Sequence, residues 1–151
     1  MVWGCLTTQG VGNLVHIEDT LNARIYVDIL TEDLLGTLDW YGLNKANIVF
    51  QHDNDPKHTA KITVEWLANE DIDVLDWPPQ SPDLNPIETL WAWLKHRLSD
   101  YDAPPTSIHS LWERVQDVWN GFTEDECNKL IESMPERIEA VLKAKGGYTK
   151  Y

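Results

Sequence analysis

The chain has 151 residues, enough for one domain, and 42% of them are hydrophobic, eight tryptophans included, which excludes a disordered chain. Twelve Lys and Arg against 25 Asp and Glu leave a net charge of −13, the opposite of the basic stripe with which proteins grip duplex DNA unaided. No run approaches the ~20 apolar residues that span a bilayer, and the two cysteines, Cys5 and Cys127, make neither a disulfide framework nor a zinc site.

The opening Met1-Val2-Trp3-Gly4-Cys5 reads as a strand and not as a signal peptide, so a reduced intracellular setting with no membrane partner is expected. Residues 2–7 and 13–18 form two strands, with Gly10-Val11-Gly12 between them as hairpin-turn chemistry. Thr20 is placed to cap a helix that turns Leu21, Ile25, Ile29, Leu30 and Leu34 inward and ends at Gly36 or Gly42. Residues 47–52 make a short apolar strand, buried on both faces. A helix over 57–69 follows, with Ile62, Val64, Trp66 and Leu67 inward, then a short strand over 72–76.

Four prolines within Trp77-Pro78-Pro79-Gln80-Ser81-Pro82-Asp83-Leu84-Asn85-Pro86 forbid both helix and ladder and give an ordered extended loop. Asn85 caps the next helix and Pro86 occupies its first position. That helix runs to about Leu98 and turns Ile87, Leu90, Trp91, Leu94 and Leu98 to the core. Residues 101–106 are a linker. A helical tail follows, with Ile108, Leu111, Trp112, Val115 and Trp119 on one face and a capping box at Thr123 and Glu126. Near Pro135 that helix ends or kinks, Ser133 restarts the last helix, and Gly146-Gly147 stops it. The element order describes one α/β domain over 1–151, with an α/β part over 1–100 and a helical tail over 101–151.

Chemistry concentrates in Gln51-His52-Asp53-Asn54-Asp55-Pro56-Lys57-His58-Thr59, where Asp53 sits just past the end of a strand, and in Glu88 in the first turn after the proline loop. Two such carboxylates can share a hard divalent cation, which prefers oxygen ligands. The plainer reading stays open: Asp53 or Asp55 caps a helix beginning near Pro56, and Glu88 completes a capping box with Asn85. His58 reads as a local hydrogen-bond partner, and His16, His52, His96 and His109 show no metal-ligand spacing. Residues 51–100 are the most acidic third, with ten acidic side chains against four basic ones. Acid around a site that handles phosphate makes sense when divalent cations bind there first.

The Gln51–Thr59 stretch followed by Trp77-Pro78-Pro79-Gln80-Ser81-Pro82-Asp83-Leu84-Asn85-Pro86-Ile87-Glu88 resembles the catalytic domain of Tc-one/mariner transposases, and 34 residues separate Asp53 from Glu88, the spacing of the family's Asp-Asp-34-Glu pattern. Val2-Trp3-Gly4-Cys5 with Gly10-Val11-Gly12 is similar to the family's early hairpin, Tyr26 with Ile29-Leu30 to its first helix, and Ser133–Arg137 with Lys145-Gly146-Gly147 to its end. The resemblance implies a ribonuclease-H-like DDE fold and a DNA partner. Asp53 is then the second catalytic carboxylate and Glu88 the third, both holding Mg²⁺ or Mn²⁺, while Asn85 and Pro86 fix the helix start and the aim of Glu88. The implied activity is strand cleavage and transfer at transposon ends, in the nucleus, with water and then a 3′-hydroxyl as nucleophile.

The family's first aspartate lies on a strand preceding the Trp-Gly-Cys strand, and this chain begins at Met1, so the expectation is a fold lacking its first strand and an impaired activity. The alternative is a truncated or domesticated remnant whose acidic surface suits a basic protein partner. The strand left out is central in that fold. Its absence predicts either direct pairing of strands 2–7 and 47–52 or an edge supplied by a second copy, hence a homodimer.

Overall fold

The computed structural model describes residues 1–147, 149 and 150. The chain opens with a hairpin of β1 (Val2–Thr7) and β2 (Gly10–His16). Its turn is Thr8-Gln9, not the expected Gly10-Val11-Gly12, which lies inside β2. The reason is local. Thr7 Oγ1 accepts from the Gln9 amide at 3.1 Å and donates to the Gly10 carbonyl at 3.1 Å, which closes the chain one step early. Gly10 takes φ 144°, a conformation open to glycine.

Contacts divide the chain into two compact units, one of Met1–Gly4 with Val15–Ser81, the other of Cys5–Leu14 with the segment from Pro82 onward. In the first unit, Asn22 rather than Thr20 caps helix α1 (Ala23–Ile29), its Oδ1 accepting from the Arg24 and Ile25 amides at 2.9 and 3.0 Å. A π-helical turn at Leu30–Leu34 leads into α2 (Leu35–Trp40). Around this turn, Thr31 and Thr37 hydroxyls donate to the carbonyls four residues back, a bond that loosens regular helix. Gly36 lies within α2, and the chain leaves the helix at Gly42, with φ 62°. Tyr26, Leu30 and Thr37 are fully buried.

Strands β3 (Val49–Phe50) and β4 (Asp73–Val74) form a parallel pair, in register Val49 to Asp73 and Phe50 to Val74. The expected doubly buried strand over 47–52 is two residues long, and Val49 is 61% exposed. β1 and β3 belong to separate two-stranded sheets, so direct pairing between them does not occur. Helix α3 (Lys61–Asn69) begins four residues later than expected, because the chain over 55–60 turns on the Asp55 carbonyl, which accepts from the His58 and Thr59 amides. Its inward residues are Thr63 and Leu67, whereas Ile62 and Val64 are exposed. The Thr63 hydroxyl donates to the Lys57 carbonyl at 2.7 Å, and this bond lets a polar residue take the buried face.

The second unit is helical. Here α4 (Pro86–Ser99), α5 (Ile108–Asn120) and α6 (Glu124–Glu132) surround a core of Leu90, Leu94, Val115, Trp119, Phe122, Cys127 and Leu130, and α7 (Met134–Lys143) packs against α6 and the turn Pro82–Leu84. Trp119 stacks on Trp91 with centroids 4.9 Å apart, and its indole N–H donates to the Gly12 carbonyl at 2.8 Å, which satisfies the polar end of a buried tryptophan. The Thr123–Glu126 capping box forms as read. Burial pushes the Cys127 thiol up to about 11, with Glu126 adding to the shift, so the group is inert. Ile108, expected on the core face, is 70% exposed at the first residue of α5, one turn before the packed stretch begins.

Leu90→Ala is expected to destabilise the protein by about 2–5 kcal/mol, because it opens a void beneath fully buried atoms, whereas Ile108→Ala is expected to stay within about 0.5 kcal/mol. Urea denaturation followed by tryptophan fluorescence checks both.

Candidate active site

Past β3 the chain runs extended through Gln51 and His52 and then folds on itself at Asp53. Asp53 Oδ1 accepts from the Asp55 amide at 3.0 Å, an Asx turn, and stands 2.7 Å from His58 Nδ1. An ionised carboxylate has no proton to give, so that ring nitrogen is the donor. Asp53 Oδ2 has no hydrogen bond among the described residues, and the side chain is 57% exposed against 17% for His58. Asp55 is engaged differently: its carboxylate accepts from the Lys57 amide at 2.9 Å and pairs with the Lys57 ammonium at 2.7 Å. Burial pushes the Asp55 carboxyl upward, but the bonds and charge of Lys57 outweigh this and hold it below its usual range.

Behind this loop lies an aromatic stack that the sequence did not signal. His52 and His58 stack with centroids 5.1 Å apart and planes 7° from parallel, and Tyr26 lies 4.2 Å from the His58 ring. The Tyr26 hydroxyl and His52 Nδ1 are hydrogen-bonded at 3.0 Å. Burial first, then the neighbouring His58, lower the His52 pKa from 6.5 to about 4, while Asp53 pulls weakly upward, so His52 is neutral at pH 7. The Asn54 amide donates to the Trp77 carbonyl at 2.6 Å and ties the loop to the start of the proline segment.

Glu88 belongs to the second unit, in the first turn of α4. Asn85 caps this helix as expected, its Oδ1 accepting from the Ile87 amide at 3.4 Å, and Pro86 takes the first helical position. The Asn85 amide donates to the Pro82 carbonyl, so no capping box with Glu88 forms. The Glu88 carboxylate is exposed and makes no hydrogen bond among the described residues. Buried Arg137 on α7 anchors the same turn, donating to the Asp83 carbonyl and to the Thr89 hydroxyl, each at 2.9 Å, and to Ser133 Oγ at 2.8 Å. Arg137 carried no signal beyond its place in the tail motif. The helix-capping reading of Asp53 and Asp55 also falls away, since α3 begins at Lys61 behind Ala60, which caps with no side chain.

Residues 1–111 match the model of the DDE superfamily endonuclease family. The chain belongs to that family. Within the DDE family it is of Tc1/mariner type, being 38% identical along its whole length to the Tcb2 transposase of Caenorhabditis briggsae and to the Tc1 transposase of Caenorhabditis elegans, and 28% identical to the Tc3 transposase of the latter. It spans about half the length of these curated relatives, 54% of the first two. The catalytic domain of the Mos1 transposase, solved with raltegravir and Mn, superposes on 99% of the chain with a TM-score of 0.85 at 26% identity, covering 76% of that domain. The fold is therefore the ribonuclease-H-like fold of DDE transposases.

Because His52 is harder to protonate folded than unfolded, its stabilising contribution is complete above pH 6.5 and is lost as pH falls toward 4. The slope of stability against pH over that window is expected to flatten in His52→Phe, and the His52 Cε1–H resonance in the native protein to titrate near pH 4.

Proposed function

We propose that this chain contributes Asp53 and Glu88 to a Mg²⁺- or Mn²⁺-dependent centre that cleaves and rejoins DNA strands at transposon ends. The observation that carries the reading is the family match over residues 1–111, which includes both carboxylates. The residues fit a hard cation: each offers an exposed carboxylate with an oxygen that no protein donor occupies. When bound, the cation supplies activation of the attacking oxygen and neutralisation of the leaving one. The chain's own residues do the holding. Asp53 is fixed by its turn, and Glu88 by the Asn85 cap, Pro86 and the Arg137 anchor.

Solved forms of Mos1 include a paired-end complex with Mn and a strand transfer complex. Those complexes are of Mos1, and the DNA partner proposed here follows from the likeness. With two of the three carboxylates of the family pattern, the 151-residue polypeptide by itself is proposed to be a weak binder and weak nuclease. Work in the nucleus and association of two copies complete the proposal, resting on the family likeness and on the unpaired sheet edge of β3.

Nicking of a supercoiled plasmid bearing inverted transposon ends is the direct test. Low Mn²⁺-dependent nicking is expected from the native chain and only the protein-free background from Asp53→Ala and Glu88→Ala. Equal nicking by all three proteins would sink the catalytic assignment.

A further inference from the structure

Asp53 is bound unevenly. Both donors that reach it, the Asp55 amide at 3.0 Å and His58 Nδ1 at 2.7 Å, end on the same oxygen, Oδ1. The first is a property of the turn and costs no side chain. The second is built: His58 lies five residues on, and its ring packs against two others that also neighbour each other, with His52 parallel at 5.1 Å and Tyr26 tilted at 4.2 Å. Tyr26 is 1% exposed and is hydrogen-bonded to His52, so the stack is anchored in the core beneath α1. His58 Nδ1 also lies 3.3 Å from the Asp53 carbonyl, so one ring edge faces both the side chain and the backbone of this residue.

We infer that His58 is the positioning residue of the site: packed against Tyr26 and His52, it clamps Oδ1 and reserves Oδ2 of Asp53 as the oxygen that takes the divalent cation. This inference rests on the metal role proposed for Asp53. A carboxylate free to rotate presents either oxygen or both. One pinned at Oδ1 by two donors presents one, in a fixed direction, which is what a ligand to a hard cation needs from its surroundings. The clamp also selects the ring tautomer, since Oδ1 can only accept and Nδ1 must carry the hydrogen.

The test uses the native chain and four variants, with Mn²⁺ binding read by electron paramagnetic resonance and folding by thermal melting. Asp53→Asn removes the ligand charge and is expected to lose specific Mn²⁺ binding. His58→Phe keeps a ring in the stack but removes the donor, and is expected to weaken binding by about 10-fold or more. His58→Asn places an amide N–H where Nδ1 stood and is expected to recover most of the affinity. Tyr26→Phe frees His52 from its hydroxyl partner and is expected to weaken binding by a smaller factor. In the native protein, long-range ¹H–¹⁵N spectra are expected to show His58 protonated on Nδ1 at pH 8, a readout that needs no variant to fold. If Asp53→Asn binds Mn²⁺ like the native chain, the metal role itself is wrong. If Asp53→Asn loses binding while His58→Phe retains it, or if His58 carries its hydrogen on Nε2 alone, the clamp is wrong and the metal role stands.

Discussion

The contact on which the candidate site depends is the 2.7 Å bond between His58 Nδ1 and Asp53 Oδ1. Everything around it serves to keep two groups five residues apart in one orientation. The Asp55 carbonyl accepts from the amides of His58 and Thr59 and folds the loop back. Thr63 then holds the Lys57 carbonyl from inside α3, which fixes the loop to a helix. On the other side the Asn54 amide binds the Trp77 carbonyl. The loop contains no helix or strand itself, and it is held by a bond within itself, one to α3 and one to the start of the proline segment. A carboxylate on a loop held in this way has a preferred orientation, which is the condition for placing charge accurately.

Glu88 is positioned by a different device with the same outcome. Proline cannot enter a helix except in its first turn, so Pro86 makes the start of α4 a fixed point in the sequence. Arg137 then secures that point, donating to the carbonyl of Asp83 before the helix and to the hydroxyl of Thr89 just after Glu88. Its guanidinium is almost wholly buried, and a buried guanidinium is tolerated only when its N–H groups are used. The helical tail thus reaches the turn that carries Glu88 through one side chain of α7, while Trp119 fills the core and Trp112 packs against it.

Much of this was legible in the sequence, and several of the misses share a physical cause. Helix α4 followed from its cap, its proline and the spacing of Leu90 and Leu94, all local signals. The Thr123–Glu126 box was equally local. The motif around Asp53 and Glu88 identified the family without geometry. Three predictions failed where a different polar side chain took the decisive hydrogen bonds: Thr63 took the inward face from Ile62 and Val64 on α3, Asn22 took the cap of α1 from Thr20, and Thr7 set the hairpin turn in place of the glycines. Each turns on one or two local hydrogen bonds that a pattern of apolar residues cannot register. The Tyr26–His52–His58 stack was invisible for a further reason, since Tyr26 is brought to His52 across 26 positions by the packing of α1.

The charge balance points the same way as the geometry. A net charge of −13 is a liability for any chain that meets DNA phosphates, and the loop bearing Asp53 has one lysine to offset it. That lysine is spent on the wrong carboxylate for a simple ion pair: Lys57 gives both its amide and its ammonium to Asp55, which is held ionised as a result. Asp53 is left with a histidine that donates one hydrogen bond, and with no lysine or arginine partner among the described residues. Had the site evolved only to cap a turn, the lysine could have served either aspartate, and nothing would require a stacked histidine behind the second. A carboxylate pinned on one oxygen, exposed on the other and without a lysine or arginine partner among the described residues has the arrangement that the divalent cation proposed for this site would need.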